Sequence, residues 1–306
     1  MPTSEDKPPL RPRSQPRPDL VVVGPGKVGM ALALLARKAR YRVAAIGARS
    51  LERAQAAAHA IGADVPSGLP EEVAPLGQLV LLTVSDDAIE SLCRDLAEKG
   101  AFARGSVVAH CSGALSSSIL ASARECCGAQ VGSMHPLQTF PDVQAGVSRF
   151  PGTFCFCEGD EPAATALENL AADLGGRPVR IKTEGKLLYH AAAVLASNCL
   201  VGLVDAALAT ARLAGIGQDD ARAALAPLVG ATAENVLRLG PAKALTGPVA
   251  RGDHQLIQRQ YAQLRQADVE LAEIYRVLSR RIVQVALEKG TIAQAKAQAL
   301  RDVLQG

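Results

Sequence analysis

The stretch Leu20-Val-Val-Val-Gly24-Pro25-Gly26-Lys27-Val28-Gly29-Met30, running on into Ala-Leu-Ala-Leu34, constrains this chain more than any other. Four apolar residues predict a buried strand, three glycines follow at G-x-G-x-x-G spacing, and an alanine-rich helix comes next. The spacing has a physical reading. Gly24 permits a tight turn out of the strand, Gly26 lets a pyrophosphate approach backbone that has no Cβ, and Gly29 lets the helix pack close to the strand. Free N–H groups and the dipole at the helix N-terminus attract the anion. Gly24, Pro25, Gly26, Lys27, Val28 and Gly29 are therefore the expected cofactor loop of a dinucleotide-binding fold.

A second strand, Arg42–Ile46, leads to Gly47-Ala48-Arg49-Ser50, where such a fold reads the ribose. An acidic residue there would accept bonds from a 2′-hydroxyl and repel a 2′-phosphate. This chain has Arg49 and Ser50 instead, a guanidinium and a hydroxyl that suit the phosphate, so NADP(H) is expected rather than NAD. Ligands in open parallel sheets sit outside the carboxyl ends of the strands. That rule places Thr83, Val84 and Ser85, at the carboxyl end of strand 79–84, and Ser112, after strand 106–111, beside the cofactor.

Strand and helix patterns alternate over residues 19–182, which predicts an α/β Rossmann domain with a largely parallel sheet covered on both faces. After Lys182 only helical patterns appear, so 183–306 is expected to be an all-α domain. Its first helix is expected to run unbroken from Glu184 to about Ala214. Residues 1–18, proline-rich and without periodicity, are expected to be a disordered tail rather than a signal or transit peptide.

Composition narrows the function classes. A net charge of +3 with 3% aromatics and no Trp argues against a nucleic-acid partner. No window reaches the roughly 18 to 20 apolar residues of a membrane span, so no membrane segment is expected. Seven scattered Cys do not form a disulfide framework and point to a reducing, cytoplasmic setting. Neither C-x-x-C nor helical H-x-x-x-H is present, so no metal is expected. G-x-S-x-G is missing as well, which sets aside a hydrolase built on Ser112.

Three clusters are candidates for chemistry. Lys186, His190 and Asn198 fall on one broad face of the expected long helix. Carbonyl or imine reduction needs an acid to protonate the developing anion and donors to hold the substrate, and these residue types suit both tasks. Thr246, Arg251 and Asp253 lie in a break between helices; Thr246 and Arg251 are suited to a substrate carboxylate, whereas Asp253 reads equally as a helix N-cap. His135, with Gln138 and Thr139, occupies the turn after strand 130–134 and either faces the site or bonds backbone. A largely apolar helix of some thirty residues is hard to cover within one chain, so a homodimer is expected.

Four motifs together carry a family resemblance: His110-Cys-Ser-Gly-Ala-Leu115, Gly132-Ser-Met-His-Pro-Leu-Gln-Thr-Phe140, Tyr189-His-Ala-Ala-Ala-Val194 with Ser197-Asn198, and Ala244-Leu-Thr-Gly-Pro-Val-Ala-Arg-Gly-Asp253. They resemble a family of Rossmann-like proteins whose C-terminal helical domain has no assigned function. In layout that family is similar to ketopantoate reductases, pyrroline-5-carboxylate reductases and 3-hydroxyacid dehydrogenases. The resemblance implies NADP binding, a helical dimerisation domain like that of 6-phosphogluconate dehydrogenase, and a cleft between domains. In those relatives a lysine and an asparagine four residues apart do the acid and orienting work. Lys186 matches the lysine, but His190 stands where the asparagine is expected, and Gln260 stands near a position where the family pattern has a histidine.

The expectation is an NADPH-dependent oxidoreductase acting on a small 2-oxo acid, ketopantoate being the best single guess. The alternatives are an imine reductase of the pyrroline-5-carboxylate type and a non-catalytic NADP-binding sensor. Charge separates the first two: Lys186 facing the substrate would repel a cationic imine.

Overall fold

The computed structural model describes residues 16–305, so the expected tail falls mostly outside the described residues. By its internal contacts the chain divides into two units, one ending at Val194 and the next beginning at Leu195.

The first unit is built on eight strands: β1 (Leu20–Val23), β2 (Val43–Gly47), β3 (Ser67–Gly68), β4 (Leu79–Leu82), β5 (Val107–His110), β6 (Gln130–Pro136), β7 (Phe154–Gly159) and β8 (Arg177–Arg180). They lie in the order β3-β2-β1-β4-β5-β6-β7-β8, and every pair is parallel except β6 with β7. Apolar residues alternate between two cores, one on each face. Leu20, Val22, Leu79 and Leu81 enter one core with Leu32 and Leu35 of helix α1 (Lys27–Lys38). Val21, Val23, Val80 and Leu82 enter the other with Ile89, Cys93 and Leu96. Burial on both faces explains why these strands read as continuous apolar runs. Helices α2 (Leu51–Ile61), α3 (Pro70–Val73), α4 (Asp86–Glu98), α5 (Ala121–Cys127), α6 (Val143–Arg149) and α7 (Glu161–Asp173) complete the unit.

The expected unbroken helix is two helices, α8 (Lys186–Ala196) and α9 (Asn198–Leu213). Ser197 separates them with φ −119° and ψ −72°, outside the helical well. The reading that no window here is apolar enough to span a membrane is also corrected, by length and composition: within Thr183–Leu213 an 18-residue window reaches a mean hydropathy of 1.8. Counting apolar residues missed it, because Gly, Ser and Asn are interspersed among the aliphatic ones. Its first turn is nevertheless fastened into the sheet unit, where Lys186 is buried.

In the second unit α10 (Gln218–Leu239) runs through Pro227. Short helices α11 (Pro241–Ala244) and α12 (Pro248–Arg251) precede α13 (His254–Ala267), α14 (Val269–Lys289) and α15 (Gln294–Val303). Asp268 divides α13 from α14 by accepting a hydrogen bond from the Leu271 N–H at 3.0 Å. Val249, Ile257, Val283, Ala286, Leu300 and Leu304 form this unit's core.

Candidate active site

The carboxyl ends of β1, β4, β5 and β6 lie side by side and carry the glycine loop and the candidate chemistry. Each loop glycine does what its place in the motif demands. Gly24 has φ +100°, which only glycine adopts freely. A Cβ on Gly29 would strike the Thr83 hydroxyl and come within 2.5 Å of the Gly24 carbonyl oxygen. A Cβ on Gly26 would meet nothing nearer than the Thr83 carbonyl oxygen at 4.0 Å, so this backbone faces open space. No side chain caps α1, which leaves its N-terminal N–H groups for an anion. The loop therefore fits the pyrophosphate of a dinucleotide.

Several expected cofactor contacts hold the loop rather than face outward. Thr83 Oγ1 donates to the Gly24 carbonyl at 2.7 Å. Val84 packs against the same glycine. Ser112 Oγ accepts from the Ala114 and Leu115 N–H groups and donates to Asp86 Oδ2 at 2.7 Å, tying the β5 exit loop to the start of α4. Ser85 is the N-cap residue of α4 without a side-chain cap bond. Ser50 caps α2, accepting from the Arg53 N–H at 3.4 Å, and Arg49 beside it is exposed.

His110 clamps this exit loop. Its Nδ1 accepts from the Ser112 N–H at 3.1 Å, so the proton sits on Nε2, which reaches the Ser116 carbonyl at 3.2 Å. Burial, with Lys186 nearby, pushes its pKa down to about 4, so the ring is neutral at pH 7.

Register places His110, Ser133 and Glu158 in a row across β5, β6 and β7. Glu158 is the hub of a buried network. Its carboxylate accepts from the Ser117 N–H at 2.9 Å, the Ser117 hydroxyl at 2.8 Å, the Thr183 hydroxyl at 2.9 Å, the Ser133 hydroxyl and Lys186 Nζ at 3.3 Å. Lys186 also donates to Ser133 Oγ. Burial alone would raise the Glu158 pKa; the Ser133 hydrogen bond and the Lys186 charge outweigh it and hold the carboxyl below its ordinary value. Both ends of the ion pair are 1% exposed. This is a different place for Lys186 from the one its residue type suggested: the ammonium is spent on Glu158 and Ser133.

The imidazoles converge elsewhere, over Gly113. His135 Nδ1 lies 2.8 Å from the Tyr189 hydroxyl, and the Tyr189 ring stacks on Phe156 at 4.2 Å between centroids. A Cβ on Gly113 would stand 2.9 Å from His135 Nε2 and 2.5 Å from His190 Nδ1. The His190 Nδ1 is buried and has no hydrogen-bond partner among the described residues, a costly arrangement unless a ligand supplies one. Burial first, then His190 and Lys186, pushes the His135 pKa down to about 4. Burial raises that of Tyr189, so its hydroxyl keeps its proton.

Of the remaining candidates, Asn198 is exposed in the first turn of α9, and Thr246 is exposed. Asp253 does not cap α13 with its side chain; it accepts from Arg251 Nε at 3.1 Å. Sequence reasoning passed over Glu158, Ser133 and Tyr189 as participants. Tyr189 and Ser133 carried a signal, standing beside His190 and two residues before His135 in quoted motifs, whereas Glu158 stood in none.

Residues 5–136 match a Rossmann-like domain, and residues 153–282 match a domain of unknown function (DUF2520). No curated protein matches the chain. Among solved structures, a protein from Thermotoga maritima is 25% identical with a TM-score of 0.69, the match covering 89% of this chain and 99% of that one. A candidate NADP oxidoreductase from Bacteroides fragilis is 24% identical, TM-score 0.67, covering 88% and 98%. A reductive aminase from Aspergillus terreus, solved with NADPH and ethyl levulinate, shares the fold at 16% identity and a TM-score of 0.62, covering 94% and 99%. The two matched domains span the sheet, the glycine loop and the helices that follow, and the chain belongs to the Rossmann-like proteins that carry this C-terminal domain of unknown function.

Proposed function

We propose that this protein is an NADP(H)-dependent oxidoreductase that reduces a carbonyl or imine carbon of a small molecule over Gly113. The convergence of His135 Nε2 and the unpartnered His190 Nδ1 on that glycine carries the reading. Gly24 to Gly29 would hold the pyrophosphate, and Arg49 with Ser50 the 2′-phosphate. The bound nicotinamide would supply a hydride. Donation from the Tyr189 hydroxyl to His135 Nδ1, 2.8 Å away, would keep the imidazole proton on Nε2, aimed at Gly113. A neutral imidazole N–H there stabilises charge developing on a substrate oxygen or nitrogen. His190 Nδ1 offers a second bond that orients the substrate.

The 2-oxo acid reading, ketopantoate included, leaned on Lys186 as acid and Arg251 as carboxylate fork. Lys186 is held by Glu158, and one edge of Arg251 by Asp253. Imine reduction loses its main objection, since no free lysine charge faces the substrate. The test is a coupled NADPH-oxidation screen over 2-oxo acids, among them ketopantoate, and cyclic imines, among them pyrroline-5-carboxylate. Turnover that drops about 100-fold in His135→Asn supports the reading. NADPH binding with no turnover of any member would leave a non-catalytic NADP-binding sensor in its place. Arg49→Ala should weaken NADPH binding about tenfold and leave NADH unchanged.

We also propose a homodimer formed through the C-terminal helices, in a reducing cytoplasmic setting that suits seven free cysteines. Supporting it, the apolar stretch is inside out for an isolated chain: Lys186 is buried, while Leu187, Leu188, Leu195 and Val201 are 68%, 78%, 69% and 70% exposed.

A further inference from the structure

One carboxylate ties together the three segments that meet over Gly113. Glu158 accepts from the N–H and the hydroxyl of Ser117, four residues beyond Gly113 on the β5 exit loop, at 2.9 and 2.8 Å. It accepts from Ser133, two residues before His135 on β6. It accepts from Thr183 at 2.9 Å and from Lys186 at 3.3 Å, where α8 begins. Gly113, His135 and the pair Tyr189–His190 are carried by these same three segments.

The contacts fall on two levels in register. Across β6 and β7, Ser133 stands opposite Glu158, and His135 opposite Phe156. Lys186 bonds the first level. Tyr189 and His190, three and four residues on, meet the second: the Tyr189 ring lies 4.2 Å from that of Phe156, and the His190 ring 5.9 Å from that of His135. A helix climbs about 6 Å in four residues, and a strand about 6.6 Å in two. Fixing Lys186 on Ser133 and Glu158 therefore sets the height at which Tyr189 and His190 reach His135. Both ends of the ion pair are buried, and such a pair adds little net stability over apolar residues of equal volume. Its bonds are directional, however, which apolar packing is not.

We propose that Glu158 is a positioning residue: through Lys186 it seats α8 at one height on β6 and β7, and through Ser117 it holds the Gly113 loop against them, so that His135 and His190 meet over Gly113. The proposal rests on the reductase reading above. The Glu158 carboxylate is occupied by five donors and acts on the reaction only through them.

The test reads the imidazoles directly, without substrate or turnover. Protein carrying isotope-labelled histidine is compared by nitrogen NMR, the His135 ring signals being assigned through His135→Asn. Tyr189→Phe marks where those signals fall once the tyrosine bond is lost. Glu158→Gln should carry them at least about half of the way to that position. Glu158→Gln with Lys186→Met leaves no buried charge unpaired, so it should recover the wild-type melting temperature. Its His135 signals should stay displaced, since methionine makes no bond to the glutamine. If Glu158→Gln does not fold, the double variant carries the test. Signals at their wild-type positions in either folded variant mean that packing alone seats α8, and they overturn the proposal. So does a double variant whose melting temperature stays low, because displacement would then follow lost stability, and so does a Tyr189→Phe protein whose His135 signals do not move. Where the screen finds a substrate, kcat of the double variant should fall about tenfold at an unchanged NADPH dissociation constant; an unchanged kcat also overturns the proposal. Failure of the reductase reading is seen separately, as absence of NADPH oxidation across the screen while the His135 signals still respond.

Discussion

The Tyr189 hydroxyl stands 2.8 Å from His135 Nδ1, joining the first turns of α8 to the end of β6. Burial keeps the hydroxyl protonated, so it is able to donate to Nδ1 and leave the imidazole hydrogen on Nε2, as the proposed function requires. Tyr189→Phe should lower kcat about tenfold or more while the NADPH dissociation constant stays put. Stopped-flow turnover with fluorescence titration measures both. An unchanged kcat would remove Tyr189 from the site.

Acid should weaken the fold in a defined window. His110 and His135 titrate near 4 in the folded protein, chiefly through burial, against an ordinary value of 6.5. Between those values the unfolded chain binds protons that the folded one refuses. Stability is therefore complete above 6.5 and is lost as pH falls from 6.5 toward 4. For fully buried His110 the loss approaches roughly 3 kcal/mol. Urea midpoints from about pH 7.5 down to 4.5 should trace this loss, and His110→Gln should flatten it. The contribution of His135 to activity should show no titration near 6.5, because that ring stays neutral there.

Two alanine substitutions in the glycine loop should part company. Gly26→Ala adds a methyl into open space, so stability should hold within about 0.5 kcal/mol while NADPH affinity falls about tenfold. Gly29→Ala drives a methyl into Thr83 and the Gly24 carbonyl, and should cost about 1–3 kcal/mol of stability. Equal melting temperatures for the two variants would contradict the assignment of packing to one and ligand approach to the other.

Light scattering at micromolar concentration should give the mass of a dimer. Leu188→Asp, at a side chain 78% exposed in the single chain, should shift it toward monomer. A monomeric wild type would contradict the proposed pairing.

The glycine loop was legible because each of its demands is local: a positive φ, a close helix and an open face are properties of three residues and their neighbours. His135 and His190 were legible as types, but their meeting over Gly113 depends on sheet register and on α8. Glu158 was hidden. It follows Phe154-Cys-Phe-Cys157, whose pattern reads as core strand, and its partner Lys186 lies 28 residues further on. The break at Ser197 was hidden too, because serine is an ordinary helix residue and nothing adjacent announces a stop.

The donors gathered on Glu158 come from 41 residues before it, 25 before, 25 after and 28 after. A carboxylate cannot be stripped of water until enough of them have arrived. Strand β7 thus cannot be sealed into a dry sheet ahead of the chain segment that opens α8. Closing the sheet at β7 and seating the helix that bears Tyr189 and His190 are thereby coupled. A half-made protein of this kind has no partial site to offer: the imidazoles meet only in a chain whose sheet unit is finished.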